Sequence, residues 1–427
     1  MQTYIVYTGN SRKDETSSLL HCKNLLQQVT VDSEPKFIIH HYKRSFNGFV
    51  AKLTKAEADK MAELDGVVSI FPDKKRSLLT TKSWDFIVID TGIWPESNSF
   101  NDEGFSPPPS KWKGICQTYN FTCNNKIIGA RYYGISFNDV GSPRDYVGHG
   151  THVASTAAGN IVSQASMLGL GHGTSRGGVP SARIAVYKVF RSSACDASNI
   201  LSAFDDAIAD RVDMLSVSIG GEIENHHSIF KDPLSIGSFH AMKNGVLTVF
   251  AAGNDGPQPT SLDNFSPWSI VVGAGTIERK FGISINIFDL SGNMYPIIYA
   301  GDAPNTQAGF NGHKSKFCSL NSLNSLLVKG KIVLCKGHIG SQEAFRAGAI
   351  GVLTQGQISR DTAFSFPLPG CYLRTKDAKK IHKYIYSTRT PTATIFKTTE
   401  SENTLTPVVA SFSARGPSIV TPDILKG

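Results

Sequence analysis

Cysteine is scarce, long apolar runs are absent and dense charge is nearly so; each shortage closes off a class of protein. The 427 residues hold seven cysteines, too few for a small fold stapled by disulfides, and the odd count leaves at least one outside any internal pair. No stretch is apolar over the length of a bilayer crossing, so no membrane span is expected. Met1-Gln2 leads almost at once into the strand-like Tyr4-Ile5-Val6-Tyr7, so no secretory leader is expected within this chain. The formal charge of +8 is spread along the sequence. Lys74-Lys75-Arg76 is the one dense basic run and reads as a solvated linker, so no nucleic-acid partner is expected. No calcium loop stands out, and no cofactor is implied.

What is present is length, glycine and alternation. A chain of 427 residues exceeds one ordinary core, so two or three domains are expected, and 39 glycines point to many tight turns. Residues 1–79 read as strand (Tyr4 to Tyr7), helix (Ser17 to Val29), strand (Lys36 to Tyr42), strand (Gly48 to Leu53), helix (Lys55 to Leu64) and strand (Val67 to Pro72). That is the order of a ferredoxin-like α+β sandwich. Ile87 to Asp90 is a short apolar strand ending in an acid. Pro107 to Tyr133 reads as loop, and Gly169 to Gly178 as a glycine-rich surface loop without the strand-to-helix context that phosphate binding needs. Strands over Arg183–Val189, Met214–Ile219 and Val246–Ala251 alternate with helices over Ala197–Asp210 and Ser235–Asn244. This pattern predicts an α/β parallel sheet with helices on both faces. From Ile283 to Thr399 short β-like runs alternate with turns and one helix, Asp377 to Tyr386, which reads as a separate β-rich module.

Three positions carry chemistry. In Asp145-Tyr146-Val147-Gly148-His149-Gly150-Thr151-His152, a histidine between two glycines precedes small apolar residues at helical spacing, which places His149 at a helix start. An imidazole acts as a general base only when a partner orients one ring nitrogen and a nucleophile meets the other. His149 and His152 stand three apart with no acid or cysteine in register, a poor zinc site, so no metal is expected and His152 reads as a packed structural residue. Asp90, at a strand end in an α/β sheet, faces the crevice where ligands bind, or else caps a turn. Asn254, in Ala251-Ala252-Gly253-Asn254, can donate its amide to an oxyanion or serve as a left-handed turn residue.

Together the segments Val88-Ile89-Asp90-Thr91-Gly92-Ile93-Trp94-Pro95-Glu96-Ser97, Asp145–Gly159 and Ala251-Ala252-Gly253-Asn254-Asp255-Gly256-Pro257 resemble subtilisin-like serine proteases, closest to the plant, cucumisin-like branch. The resemblance implies an Asp90 and His149 acid–base pair with Asn254 as oxyanion donor. It also implies a polypeptide substrate paired along Ser218, Ile219 and Gly220, residues that read equally well as a plain turn. Residues 1–79 then resemble the family's propeptide, which assists folding and blocks the cleft until it is cut away, near Leu79–Thr80. Residues 80–282 correspond to the first part of the catalytic domain, 283–399 to a protease-associated insert, and 400–427 to the resumed, incomplete catalytic domain.

Two departures accompany the likeness. Relatives carry a further stretch before Ile87, where Phe86 and Ile87 here abut. The family's nucleophile lies in a Gly-Thr-Ser-Met-Ser-type motif, and the sequence contains none. Gly173-Thr174-Ser175 precedes a strand and matches a non-catalytic part of the pattern. The expectation is a serine endopeptidase by family, inactive as these 427 residues stand; the alternative is an inhibitor or binding decoy. The family also implies an extracellular setting. There the pairs Cys116 with Cys123 and Cys318 with Cys335 can bridge, whereas otherwise they stay reduced. Asn120-Phe121-Thr122 and Asn264-Phe265-Ser266 fit the glycosylation pattern.

Overall fold

In the first 78 residues, side-chain periodicity decides the architecture. β1 (Gln2–Asn10), β2 (Ile38–Tyr42), β3 (Phe46–Leu53) and β4 (Ser69–Pro72) form an antiparallel sheet in the order β2-β3-β1-β4. α1 (Glu15–Val29) buries Cys22, Leu25, Leu26 and Val29, three and four residues apart, against this sheet. α2 (Lys55–Ala62) starts on a capping box: Thr54 accepts from the Glu57 amide, and the Glu57 carboxylate accepts from the Thr54 amide at 2.7 Å. The unit is the ferredoxin-like sandwich expected from element order. Described in this computed structural model are residues 2–10, 15–30, 38–78, 89–117, 120–134, 141–167, 170–190, 194–220, 228–277, 279–281, 290, 292–337, 340–356, 366–396, 400–402 and 407–424. The Leu79–Thr80 junction and the abutment of Phe86 with Ile87 lie outside them.

The described chain divides into two compact units, one of Met1–Ser163, Thr174–Ala274 and Phe412–Gly427, the other of Gln164–Gly173 and Gly275–Ser411. After β5 (Lys75–Leu78), the chain continues through β6 (Ile89–Asp90), β7 (Ile127–Tyr132), α3 (His149–Ala158), β8 (Val162–Met167) and β9 (Leu170–Ser175), both mostly of the second unit, and β10 (Ile184–Lys188). β11 (Ala194–Asp196), α4 (Ala197–Ala209), β12 (Met214–Val217), β13 (Ile219–Gly220), α5 (Pro233–Lys243), β14 (Leu247–Ala251) and β15 (Ile270–Val272) follow. β6, β10 and β7 run parallel, as do β12, β14 and β15, and β12 lies beside β6.

The two faces of β10 show how the sheet is sandwiched. Ile184 and Val186 bury against Ala154, Ala157 and Ala158 of α3, while Tyr187 joins Ile200, Ala203 and Phe204 of α4 and Leu234 of α5. Helices therefore cover both faces, and the alanines of α3 let that helix approach closely.

Two loop expectations are corrected. The end of the supposed loop Pro107–Tyr133 is β7, a strand of the sheet. Gly129 weakens its pattern, but a Cβ there would stand 2.4 Å from the Trp112 ring, so the packing demands glycine. Within Gly169–Gly178, residues Leu170–Ser175 are likewise strand, with Thr174 and Ser175 in regular backbone.

The second unit is α/β where a β-rich module was expected. β16 (Tyr295–Tyr299), β17 (Ile332–Lys336), β18 (Gly351–Gly356) and β19 (Gly370–Arg374) run parallel, and β20 (Thr392–Ala393) pairs antiparallel at the edge. One face buries Val333, Val352 and Tyr372 with Ala344 of a helix over Ser341–Arg346. The other buries Ile332, Leu334 and Leu353 with Ala378 and Ile385 of a helix over Thr375–Ser387. Burial on both faces explains why these strands read as continuous apolar runs. Cys318 and Cys335 are joined here, as are Cys116 and Cys123 in the first unit.

Candidate active site

Asp90 closes β6, held in the sheet by parallel pairing with Lys188 of β10. It is 1% exposed, and its Oδ1 accepts from the Thr91 amide at 2.7 Å. The same oxygen meets His149 Nδ1 at 2.6 Å. A carboxylate can only accept, so Nδ1 carries the proton and Nε2 remains the basic nitrogen.

The glycines around His149 make this approach possible. Gly148, the N-cap of α3, has φ +93°, a left-handed conformation that a side chain disfavours. A Cβ on Gly150 would fall 2.3 Å from the Gly92 carbonyl and 3.2 Å from Asp90 Oδ1. Only a bare backbone lets the helix start sit on the strand end. His152, one turn on, is half-buried, and its pKa is lowered by desolvation and then by the neighbouring His149. Among the described residues no cluster of His, Cys, Asp and Glu is arranged to hold a metal ion.

Asn254 lies three residues past β14, in a turn whose preceding Gly253 has φ +109°. Residues 412–416 return along this turn: the Ala414 amide donates to the Gly253 carbonyl at 2.9 Å, and the Gly256 amide to the Phe412 carbonyl at 3.0 Å. The structure thus joins Asp90 to His149 by a direct hydrogen bond and holds Asn254 beyond the end of β14, which β12 separates from β6.

Ser218, Ile219 and Gly220 are buried, and β13 is one wall of a three-stranded antiparallel sheet, β11-β5-β13. Its middle strand is the chain's own segment Lys75–Leu78. Leu78 pairs with Ile219 and Ser77 with Gly220 on one side; Ser77, Arg76 and Lys75 pair with Ala194, Cys195 and Asp196 on the other. The second wall escaped sequence reasoning, because a three-residue strand has no periodicity to read.

Asn264 also escaped it. Read as a glycosylation acceptor, it is 3% exposed, and its Nδ2 donates to the Ile219 carbonyl at 3.0 Å and the Ala251 carbonyl at 2.8 Å. In the fold it ties the wall strand to the strand leading to Asn254, with no room for a glycan. Asn120, by contrast, is exposed.

Fold and site together define an α/β protein with an acid–imidazole pair where β6 meets the start of α3, and a two-walled backbone edge that holds the chain's own Lys75–Leu78 in extended pairing. Residues 87–426 match the profile of the subtilase family, and residues 3–79 that of peptidase inhibitor I9. The chain belongs to the subtilase family. It is 45% identical to the subtilisin-like protease SBT4.12 of Arabidopsis thaliana, covering 100% of this chain and 61% of that one. It is 46% identical to SBT4.3 of the same plant, over 99% of this chain and 62% of the relative, and 44% identical to SBT4.13, over 100% and 62%. The chain thus spans about three-fifths of the length of these relatives. The alignment with SBT4.12 runs over 464 positions, so that relative also carries stretches lacking in these 427 residues.

Proposed function

We propose that this chain carries the acid, base, oxyanion donor and substrate edge of a subtilisin-like serine endopeptidase. In this reading His149 Nε2 takes the proton from an attacking serine hydroxyl, Asp90 fixes the tautomer and offsets the imidazolium charge, and the Asn254 amide meets the oxyanion of the tetrahedral intermediate. The observation that carries it is the 2.6 Å contact between buried Asp90 and His149. Ser218, Ile219 and Gly220, facing Ala194–Asp196, pair with the backbone of an extended polypeptide substrate. We read residues 283–399 as the protease-associated domain and the setting as extracellular, which the two disulfides support.

The nucleophile is not among these residues, so a polypeptide of residues 1–427 alone is expected to resist a fluorophosphonate probe; covalent labelling would overturn that. Completed with the downstream part of an Arabidopsis relative, the same residues are expected to label and to cleave peptides, with His149→Ala abolishing both. A folded but inert chimera would sink the endopeptidase reading.

A second reading, an inhibitor or decoy, draws on one observation: Lys75–Leu78 already occupies the place between β11 and β13. Residues 1–79 are then expected to inhibit a related active protease. The absence of inhibition at about micromolar concentration would count against this.

A further inference from the structure

The geometry points to Asp145 as the positioning residue that sets the Asp90–His149 contact, an inference resting on the acid–base reading above. Gly148 caps α3 without a side chain and makes no side-chain cap hydrogen bond. Asp145, three residues earlier, does that work. Its Oδ2 accepts from the Thr151 amide at 2.9 Å and the Thr151 hydroxyl at 2.6 Å, and its Oδ1 from the Val147 and Gly148 amides at 2.9 and 2.8 Å. A carboxylate at a helix N-terminus is also favoured by the helix dipole.

A fifth donor makes the link to Asp90. The Thr91 hydroxyl donates to Asp145 Oδ1 at 2.9 Å and accepts from the Gly150 amide at 2.8 Å. Thr91 follows Asp90 in the chain, and Gly150 follows His149. The carboxylate and the imidazole are therefore two members of one closed ring, fixed by Asp145 through Thr91 on one side and through the helix start on the other. Half-buried and accepting from five donors, Asp145 stays ionised. Burial raises its pKa, but the hydrogen bonds from Thr151, Gly148 and Val147 outweigh burial and bring it below the ordinary value. Asp145 touches no reacting atom; it acts through the two residues that do.

The test is proton NMR of the whole chain labelled with nitrogen-15 histidine, following the deshielded Nδ1 proton of His149. Asp90→Asn is expected to abolish that resonance. If it does not, the Asp90–His149 pairing itself fails and this inference with it. Asp145→Asn is expected to broaden the resonance away or speed its exchange with water by about tenfold or more, with the rest of the spectrum native. Should Asp145→Asn fail to fold, Thr91→Val cuts the same link at nearly constant volume and is expected to act alike, while Thr91→Ser, which keeps the hydroxyl, restores the signal. If Asp145→Asn, or Thr91→Val in its place, exchanges at the wild-type rate, the positioning role is overturned.

Discussion

His240 on α5 is 1% exposed and receives the Tyr7 hydroxyl of β1 at 2.5 Å, with the Phe46 ring 5.0 Å away. Burial, aided by Lys243, lowers its pKa from 6.5 to about 4, and burial pushes Tyr7 up to about 12. The unfolded chain therefore binds a proton near pH 6.5 that the folded chain refuses until about pH 4. The stability tied to neutral His240 is fully present above that window and is lost as pH falls through it, amounting to roughly 3 kcal/mol at its acid end. Urea midpoints of the full chain should fall from pH 7 to 5, and His240→Gln should flatten that slope. An equal slope in the variant would refute the assignment. At this scale sequence reasoning singled out His149 and Asp90 by motif, and they are hydrogen-bonded in the structure, yet it passed over Asp145 and Thr91 and misread Asn264. Their importance lies in which backbone groups they reach, and composition does not disclose that.

Among the elements, α4 does two jobs. Its inner face packs on the parallel sheet, while Asp205, 4% exposed, holds the turn between β2 and β3. The Asp205 carboxylate accepts from the Lys43 amide at 3.2 Å, the Arg44 amide at 3.1 Å and the Ser45 amide and hydroxyl, and Arg44 pairs with Asp206 and Asp210. Asp205→Ala leaves several donors without an acceptor, worth on the order of 3 kcal/mol. Amide exchange at Lys43, Arg44 and Ser45 should accelerate by about a hundredfold. Unchanged protection there would show that Asp205 does not hold this turn. The helix α4 was legible because its apolar residues recur at 3.6-residue spacing. β5 between β11 and β13 was not, since its partners lie far along the chain and its own residues read as a basic linker.

On the scale of the whole molecule, one face of β12-β14-β15 stands open among the described residues. Met214 pairs with Leu247, Val249 with Ile270 and Ala251 with Val272, so all six share a face, and Met214, Leu247, Ile270 and Val272 are exposed. Parallel sheets are ordinarily covered on both sides, and exposed apolar surface of this kind binds other apolar matter. A polypeptide of residues 1–427 should therefore enhance anilinonaphthalene sulfonate fluorescence, and Ile270→Thr with Val272→Thr should reduce it. A dye signal unaffected by the pair would place the binding elsewhere. No helix among the described residues is long and apolar enough to cross a membrane.

The amino-acid order alone determined the local events: the ferredoxin-like succession, the amphipathic α4, and the glycine-flanked helix start at His149. Those outcomes depend on neighbours within a few turns of backbone, where periodicity and sterics act directly. Only the tertiary structure decided that Leu78 lies against Ile219, that Asn264 is a buried tie, that the second unit is α/β, and that Asp145 and Thr91 close a ring around the acid–base pair. These contacts join residues distant in sequence, and their energy exists only once the chain has closed the loops between them.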